Sequence, residues 1–276
     1  MSARHRCAVV TGASGGIGRA IVLRLAFRCD SMILVGRDAS SLDAITRSVR
    51  GPGIRVRAVA ADLTTREGQQ AVLDAAKNEG AIDLLVNNAG ANDFAWLADQ
   101  DDDILERIVH VNVLAPMQLT RRLLPLLLAQ QTATIVNVGS IFGYLGYPGH
   151  AAYCASKFAL RGFSEALRRE LADGPVRVLY LAPRATRTAM NNASACALNA
   201  ELGVAMDTPD SVAAALVALL DKPVPERPLG MPERLFALLN RIMPCAVDRA
   251  LRRQLPVIRR HARAGRPQPT PQGENP

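Results

Sequence analysis

Near its start the chain reads Arg6-Cys-Ala-Val-Val10, then Thr11-Gly-Ala-Ser-Gly-Gly-Ile-Gly18, then Arg19-Ala-Ile-Val-Leu-Arg-Leu-Ala-Phe27. The first run is short and apolar, which predicts a strand, and the third has a helical pattern. A strand, a glycine-rich turn and a helix in this order point backbone N–H groups and the positive end of a helix at a phosphate. The segment therefore predicts a phosphate-binding turn that opens an α/β fold.

Three glycines set the spacing of this turn. The pattern Gly12-x-x-x-Gly16-x-Gly18 is longer than the dinucleotide fingerprint G-x-G-x-x-G. Gly12 and Gly16 would permit the turn and a close approach of the backbone to a ligand, and Gly18 would let the helix pack tightly on the strand. The alternative interpretation is a flexible glycine loop that holds no ligand.

Apolar runs alternate with helical patterns along most of the chain. Runs such as 82–86 and 134–138 are almost continuously apolar, which is typical of strands covered on both faces and hence of a parallel sheet. Cofactor and substrate should meet at the carboxyl edge of such a sheet. We predict strands near 6–10, 31–36, 54–60, 82–87, 133–139 and 175–182, and a seventh, proline-rich segment at 222–232 that is an edge strand or a loop.

A second motif, Tyr153-Cys-Ala-Ser-Lys157, places a phenol and an ammonium on one helix face, roughly 6 Å apart along the axis. An adjacent cation favours the phenolate, so the motif predicts a lowered pKa for Tyr153 and a role as proton donor. Ser140 would hold a carbonyl oxygen. The chain has only three lysines, which indicates that an ammonium is needed at position 157. Chance placement on an amphipathic helix is the alternative.

Together these segments resemble the short-chain dehydrogenase/reductase family, in its NADP-preferring type, over residues 5–222. Residues 11–18 are similar to its T-G-x-x-x-G-x-G motif, residues 87–90 to N-N-A-G, and residues 153–157 to Y-x-x-x-K. The resemblance implies a single-domain, Rossmann-type α/β fold with a doubly wound parallel sheet. It also implies catalytic roles, without a metal, for Asn112, Ser140, Tyr153 and Lys157, and Asn112 would position a water molecule.

The same resemblance implies which residues contact a nicotinamide dinucleotide. Asp62 would contact the adenine and Thr188 the nicotinamide carboxamide. Arg184 stands where the family usually has a glycine, which either changes the local backbone path or brings a guanidinium close to the cofactor or an anionic substrate. The implied cofactor-binding residues are Gly12, Ser14, Gly16, Ile17, Gly18, Arg37, Asp62, Leu63, Asn87, Ala89, Gly90, Tyr153, Lys157, Pro183, Thr186 and Thr188.

The end of the second predicted strand indicates the choice of cofactor. Gly36 occupies the place where NAD-preferring members usually carry an acid, and Arg37 follows it. An arginine there suits the 2′-phosphate of NADP(H), with Ser14 as a second phosphate contact. Asp38 argues for NAD, but we expect it to cap the following helix instead.

Length and composition agree with one cytosolic domain that carries appendages. The chain has 276 residues, and its five cysteines are odd in number and widely scattered, which favours reduced thiols over disulfides or a zinc site. Residues 1–12 run directly into the first strand, so we expect no signal peptide, and no apolar run is long enough to span a bilayer. Cys154 is expected to be an apolar filler, with a reactive thiol as the alternative.

The carboxy-terminal part of the chain forms a separate prediction. We divide the chain into a catalytic domain at 1–222, a proline-rich linker and basic amphipathic helical extension at 223–265, and a disordered tail at 266–276. Most of the formal net charge of +8 lies in the extension. Its apolar stripe either packs on the domain or a second subunit, or lies on anionic lipid. No motif or aromatic platform supports nucleic-acid binding.

The sequence therefore predicts an NADP(H)-dependent oxidoreductase that transfers hydride between nicotinamide and a carbonyl or alcohol. A ketone reductase for an apolar or acyl-derived small molecule is the leading interpretation, and a non-catalytic NADP-binding sensor or scaffold protein is the alternative. We expect a homodimer or homotetramer in the cytoplasm. The alternative location is the inner face of a membrane, which the protein would contact through its basic helices.

Overall fold

Seven parallel strands form one sheet in the computed structural model, which describes residues 4–50 and 53–264. Their order across the sheet is β3-β2-β1-β4-β5-β6-β7. The predicted doubly wound parallel sheet is confirmed, and the first six strands lie within two residues of their expected bounds. The strands are β1 His5–Thr11, β2 Cys29–Gly36, β3 Arg55–Ala60, β4 Leu84–Asn87, β5 Ala133–Val138, β6 Val176–Ala182 and β7 Glu226–Pro228.

Helices cover both faces of this sheet. One face packs on α1, α2 and α8, and the other on α3, α5 and α6. The described helices are α1 Gly16–Leu25, α2 Ala39–Ser48, α3 Arg66–Glu79, α4 Asp102–Val109, α5 Ala115–Leu128, α6 Ala151–Glu170, α7 Ala193–Glu201, α8 Pro209–Asp221, α9 Met231–Ile242 and α10 Pro244–Arg263.

Strand β1 shows why the sheet is buried on both sides. Cys7 and Val9 point into the core layer of α3 and α5, whereas Ala8 and Val10 point into the layer of α1 and α8. Successive side chains of a strand alternate between the two faces, so a strand covered on both faces must be apolar at every position. The continuous apolar runs of the sequence follow from this constraint.

Strand β7 is the short edge strand that the proline-rich segment allows. It pairs with β6 through residues 226–228, just beyond the boundary predicted at residue 222. Leu229 donates its backbone N–H to Ala182 (2.8 Å), and the carbonyl of Pro225 accepts from Tyr180 (3.0 Å). A proline lacks an N–H donor, so a strand that contains one is confined to the edge of a sheet.

The last helix, α10, packs on the domain. Val247, Ile258 and Ala262 are buried, and the last two join a small cluster with Phe94 and Leu198. Basic side chains near the end of α10 also contact the domain. Arg259 lies 5.0 Å from the Trp96 ring, Arg260 and His261 pair with Glu201, and Arg263 pairs with Asp99. The predicted disordered tail at 266–276 lies outside the described residues.

Tyr180 joins the end of β5 to α6. Its side chain is completely buried, and its hydroxyl lies 3.4 Å from the backbone nitrogen of Ser140 and 3.3 Å from the carbonyl oxygen of Lys157. A Cβ atom on Gly139 would lie 2.0 Å from that hydroxyl. The glycine after β5 is therefore required by the close approach of the Tyr180 ring.

Replacing Gly139 with alanine should destabilise the fold by about 1–3 kcal/mol or more, because the added methyl group overpacks a buried contact. Gly162 is the matched control, since it lies exposed in α6 with nothing within 4 Å of an added Cβ. Gly162→Ala should raise the free energy of unfolding by about 0.5–1 kcal/mol through helix propensity. Urea unfolding of both variants checks the pair, and a Gly139→Ala protein as stable as the wild type would show that Tyr180 has room to move.

Candidate active site

A cleft of about 640 Å³ opens at the carboxyl edge of the sheet. It runs along the ends of β1, β2 and β4 and reaches α6, which is where a doubly wound sheet places its ligands. Most of the residues proposed from the sequence meet here. The predicted residues that line the cleft are Gly12, Ser14, Gly16, Ile17, Gly18, Arg37, Asp62, Leu63, Ala89, Gly90, Tyr153, Lys157 and Thr188.

The glycine-rich turn forms one wall of the cleft. Gly12 has φ +62°, a conformation that side chains rarely allow, and a Cβ atom there would lie 2.9 Å from Cα of Ala89. A Cβ atom on Gly18 would lie 2.0 Å from the Gly12 carbonyl oxygen, so α1 packs directly on the turn. The bare backbone and the start of α1 fit the phosphates of a dinucleotide, since both present N–H donors.

Arg37, Ser14 and Asp38 surround a shallow depression at one end of the cleft. The Ser14 hydroxyl faces Gly36, where an added Cβ would lie 3.3 Å away. Asp38 caps α2 by accepting hydrogen bonds from the backbone of Ser40 and Ser41, both at 3.1 Å. The predicted cap is confirmed, so the carboxylate is engaged by the helix while the Arg37 side chain remains exposed.

Asp62 lines the cleft after β3. Its carboxylate accepts hydrogen bonds from the Thr64 backbone (2.8 Å) and the Thr64 hydroxyl (2.7 Å). These bonds, together with the nearby charge of Arg37, hold the pKa of Asp62 below its usual range. The side chain therefore presents a fixed acceptor at the edge of the cleft.

Lys157 lies at the deep end of the cleft. Its ammonium is buried, donates to the carbonyl oxygen of Val138 at 3.4 Å and lies 5.5 Å from the centre of the Tyr153 ring. Burial lowers the pKa of Lys157 to about 8. The predicted pairing of the phenol with the ammonium on one face of α6 is confirmed.

The predicted lowering of the Tyr153 pKa was wrong. Burial raises the pKa of Tyr153 to about 12, and a hydrogen bond with the Ser140 side chain opposes that rise. Desolvation disfavours the phenolate more than the hydrogen bond favours it, so the net shift is upward. Tyr153 is therefore a protonated acid at every physiological pH.

Ser140 stands at the junction of β5 and the short turn at 141–143. Its hydroxyl oxygen accepts a hydrogen bond from the backbone of Phe142 (3.1 Å) and also bonds the phenol of Tyr153. The Tyr180 contact described above holds the backbone of Ser140 in place. Two hydroxyl groups, from Ser140 and Tyr153, thus converge on one point beside Lys157.

Asn112 lies beneath the cleft rather than on its surface. It is buried in a single π-helical turn, His110–Leu114, between α4 and α5. Its amide accepts from the Ala91 backbone (2.8 Å) and donates to the Ala91 carbonyl (2.8 Å) and the Ser156 hydroxyl (2.9 Å). Asn112 therefore ties the loop after β4 to the helix that carries Tyr153 and Lys157.

Three more predicted residues do not line the cleft. Asn87 is buried and donates to Thr120 (3.0 Å) and Asn137 (2.8 Å). The carbonyl of Pro183 accepts from the Ile141 backbone (2.9 Å), and the hydroxyl of Thr186 donates to the Arg184 carbonyl (2.9 Å). Each of these residues makes hydrogen bonds that hold neighbouring strands or loops of the site in place.

Asn88 and Arg107 are two of the cleft residues that sequence reasoning missed. Asn88 lines the cleft, and its side-chain amide donates to the carbonyls of Thr11 (3.0 Å) and Gly12 (3.2 Å), which holds the glycine-rich turn. The two adjacent asparagines were a signal, because neighbours on a strand point to opposite faces and only one can reach the cleft. Arg107 enters from α4, and no spacing in the sequence connects it with the site.

Arg184 does not enter the cleft either. Its guanidinium pairs with Asp207 at 2.8 Å and with Glu233 of α9 at 3.4 Å. The expected approach to the cofactor or an anionic substrate is therefore wrong, because two carboxylates draw the side chain towards the loop before α8 and towards α9. Arg184 connects three segments that are distant in sequence.

Other kinds of site are not found in the described part of the chain. No group of His, Cys, Asp and Glu residues there could hold a metal ion, and none of the described helices is long and apolar enough to cross a membrane. Cys154 is buried, its sulfur accepts from the Tyr147 backbone (3.3 Å), and burial raises its pKa to about 11. The filler interpretation of this thiol fits its inert surroundings.

Comparison with known proteins agrees with this geometry. The family model for short chain dehydrogenase matches residues 6–198. Nodulation protein G of Rhizobium meliloti is 36% identical over 195 residues, which are 68% of this chain and 76% of that protein.

Two solved structures have a similar fold. A short chain dehydrogenase from Burkholderia cenocepacia in complex with NADP aligns with TM-score 0.77 and 27% identity, over 91% of this chain and 99% of the other. A short chain dehydrogenase/reductase from Burkholderia phymatum in complex with NAD aligns with TM-score 0.76 and 25% identity, over 87% and 94%.

The buried ammonium predicts a stability change that can be measured without any ligand. A folded-state pKa near 8, against 10.5 for a free lysine, means that protonated Lys157 destabilises the fold below pH 8. This loss disappears as the pH rises through 10.5. Lys157→Met should therefore raise the free energy of unfolding by about 2–3 kcal/mol at pH 7.

Denaturant unfolding of wild type and Lys157→Met at pH 7 and pH 10 checks this prediction. Only the difference between the two proteins is informative, because buried thiols and phenols also titrate in this range. The gain should shrink at pH 10. An equal gain at both pH values would mean that the substitution acts through packing and not through charge.

Proposed function

Because the chain belongs to the short-chain dehydrogenase family, we propose that it is an NADP(H)-dependent oxidoreductase that interconverts a carbonyl and an alcohol. The observation that carries the proposal is the convergence of the Ser140 and Tyr153 hydroxyl groups beside the buried ammonium of Lys157. A neutral proton donor, a second hydroxyl and a fixed cation at the deep end of a dinucleotide-sized cleft are what carbonyl reduction requires.

The residues of the cleft fit a nicotinamide dinucleotide. The glycine-rich turn and the start of α1 would hold its phosphates, Asp62 and Leu63 its adenine end, and Thr188 the nicotinamide carboxamide. When bound, the nicotinamide supplies or accepts the hydride. The chain supplies the fixed donors and acceptors around it.

The preference for NADP(H) is supported by the depression around Arg37. A dinucleotide with a 2′-phosphate would meet the Arg37 guanidinium and the Ser14 hydroxyl, and position 36 carries no acid to repel it. Asp38 is occupied as the cap of α2. The arrangement therefore favours a phosphorylated ribose over a bare 2′-hydroxyl.

Each member of the catalytic group would have a distinct task. In the reduction direction Tyr153 donates a proton to the carbonyl oxygen, and its high pKa keeps that proton available at neutral pH. Ser140 donates a hydrogen bond to the same oxygen. Lys157 stabilises the phenolate that forms and helps to hold the ribose, and Asn112 fixes the geometry of the loop and helix around them.

The surroundings of Tyr153 favour an apolar substrate. The ring of Phe142 lies 6.3 Å from the Tyr153 ring and that of His150 lies 6.1 Å away, and Tyr147 stacks on Phe142 at 5.2 Å. Burial lowers the pKa of His150 to about 4, so this ring is neutral as well. Uncharged aromatic rings beside the proton donor suit a ketone with an apolar or acyl-derived chain.

A panel of ketones and alcohols, followed by NADPH or NADP⁺ absorbance, tests the proposed activity. Turnover that favours apolar ketones is the expected result. Tight NADPH binding without turnover of any member would instead support the alternative prediction, a non-catalytic sensor or scaffold. The predicted homodimer or homotetramer and the predicted cytoplasmic location stay predictions.

The proton donor has a direct test. Tyr153→Phe removes the phenol hydroxyl and should lower kcat about 100-fold or more, with NADPH affinity nearly unchanged, because general acid catalysis is lost while the cleft is kept. Tyr147→Phe is the matched control, since it removes a phenol hydroxyl from the same ring cluster and should retain most activity. A Tyr153→Phe enzyme with more than about a tenth of wild-type activity would exclude the assigned role.

The cofactor preference has a separate test. Arg37→Ala should weaken NADPH binding about tenfold to a hundredfold, because one charge-assisted hydrogen bond is lost, and should leave NADH binding unchanged. Arg47→Ala, an exposed arginine on α2, is the control and should alter neither. Titration by fluorescence gives both affinities. Equal losses for the two cofactors would show that Arg37 has a structural role only.

A further inference from the structure

Helix α9 presents an apolar stripe to solvent. Met231, Leu235, Leu238 and Ile242 are between 53% and 71% exposed, and Met243 directly follows the helix at 56%. Their spacing of four, three and four residues places the first four on one face of the helix. A contiguous apolar stripe of this kind on a surface helix marks an interaction site.

The opposite face of α9 is fixed to the domain. Glu233 pairs with Arg184 at 3.4 Å, Ala237 is nearly buried, and the side chain of Asn240 donates to the Tyr144 carbonyl at 3.1 Å. These residues lie about half a turn from the stripe. The helix is thus held with its polar face inward and its apolar face outward, which is the reverse of a normal surface helix.

Arginines are frequent in α9 and in α10, which follows it directly. From the start of α9 to the end of α10 there are eight arginines against two acids, Glu233 and Asp248. Within residues 4–50 and 53–264, no ion pair engages Arg241, Arg249, Arg252 or Arg253, and all four are exposed. Helix α10 begins directly after Met243 and packs against α9, and its buried side faces the domain, so its arginines lie on the outer side of a helix that adjoins α9.

We propose that α9 is an interfacial helix that docks this protein on an anionic lipid bilayer, with the stripe at 231–243 entering the acyl boundary and the arginines of α9 and α10 contacting the headgroups. An outward apolar face rimmed by cations matches a surface that is apolar beneath and negative above. This sharpens the two alternatives left by the sequence, because α10 packs on the domain while the α9 stripe stays available.

A second copy of this chain is a poorer occupant of the same face. A symmetric contact would bring the stripe and its cationic rim against their own copies. Each rim holds several unpaired arginines and few acids, so the two rims would repel each other. The charge distribution therefore selects an anionic surface over self-association.

Docking through α9 would also place the reaction next to the bilayer. The helix packs against the turn at 141–143, directly after Ser140. This consequence rests on the proposed function, whereas lipid binding itself does not. A substrate dissolved in the bilayer would then reach the cleft without crossing bulk water.

Co-sedimentation of the full-length protein with vesicles tests the proposal. The protein should pellet with equal parts phosphatidylcholine and phosphatidylglycerol, bind phosphatidylcholine alone at least about tenfold more weakly, and be released when salt rises from ~0.05 M to ~0.5 M. Leu235→Gln with Leu238→Gln should reduce binding about tenfold or more. The matched control Phe27→Gln, an exposed ring in the turn between α1 and β2, should leave binding unchanged.

Charge and assembly are tested in the same assay. Arg249→Gln with Arg253→Gln should weaken binding to anionic vesicles, whereas Arg47→Gln with Arg57→Gln, exposed on α2 and β3, should not. Absence of binding by the wild type, or full binding by the leucine variant, would overturn the proposal. The proposal would also be overturned if light scattering showed that the wild type is an oligomer and that the leucine variant is a monomer. Unchanged NADPH turnover of a water-soluble ketone by the leucine variant separates loss of docking from loss of the active site.

Discussion

The burial of one ammonium group shapes the rest of the structure. Lys157 is buried beside the Tyr153 ring, and its hydrogen bond to the Val138 carbonyl is long, so we expect the charged lysine to cost stability at neutral pH. The backbone around Lys157 is therefore fixed by side chains that do not themselves react. Tyr180 fixes the backbone of α6 and of the Ser140 turn, and Asn112 fixes α6 to the loop after β4. These hydrogen bonds beneath the cleft hold the buried ammonium of Lys157 in one position.

The chemistry of the site follows from the same low-dielectric environment. Burial moves the pKa of Lys157 down and that of Tyr153 up, so the two groups hold their protons in different ranges of pH. A tyrosine that is protonated before the reaction suits reduction of a carbonyl. Burial disfavours the phenolate that proton donation leaves behind, and the neighbouring ammonium would offset part of that cost.

Much of the fold was predictable because its signals are local. Short apolar runs predicted the first six strands, and the spacing of Gly12 and Gly18 indicated the turn, since one needs a positive φ and the other a close approach. What sequence reasoning missed depends on tertiary contacts. The choice between Asn87 and Asn88 is set by which face of β4 meets the cleft, and the direction of Arg184 by two acids that are distant in sequence. The Tyr153 pKa required knowledge of burial.

The ion pairs of Arg184 make the carboxy-terminal helices an integral part of the enzyme. One guanidinium holds the loop before α8 through Asp207 and α9 through Glu233, and it starts from the residue that follows Pro183 at the end of β6. A shortened chain without α9 would keep the full sheet but would leave this arginine with one carboxylate instead of two. A glycine at this position would leave Asp207 and Glu233 without this shared guanidinium, so in this chain the placement of α9 is coupled to the end of β6.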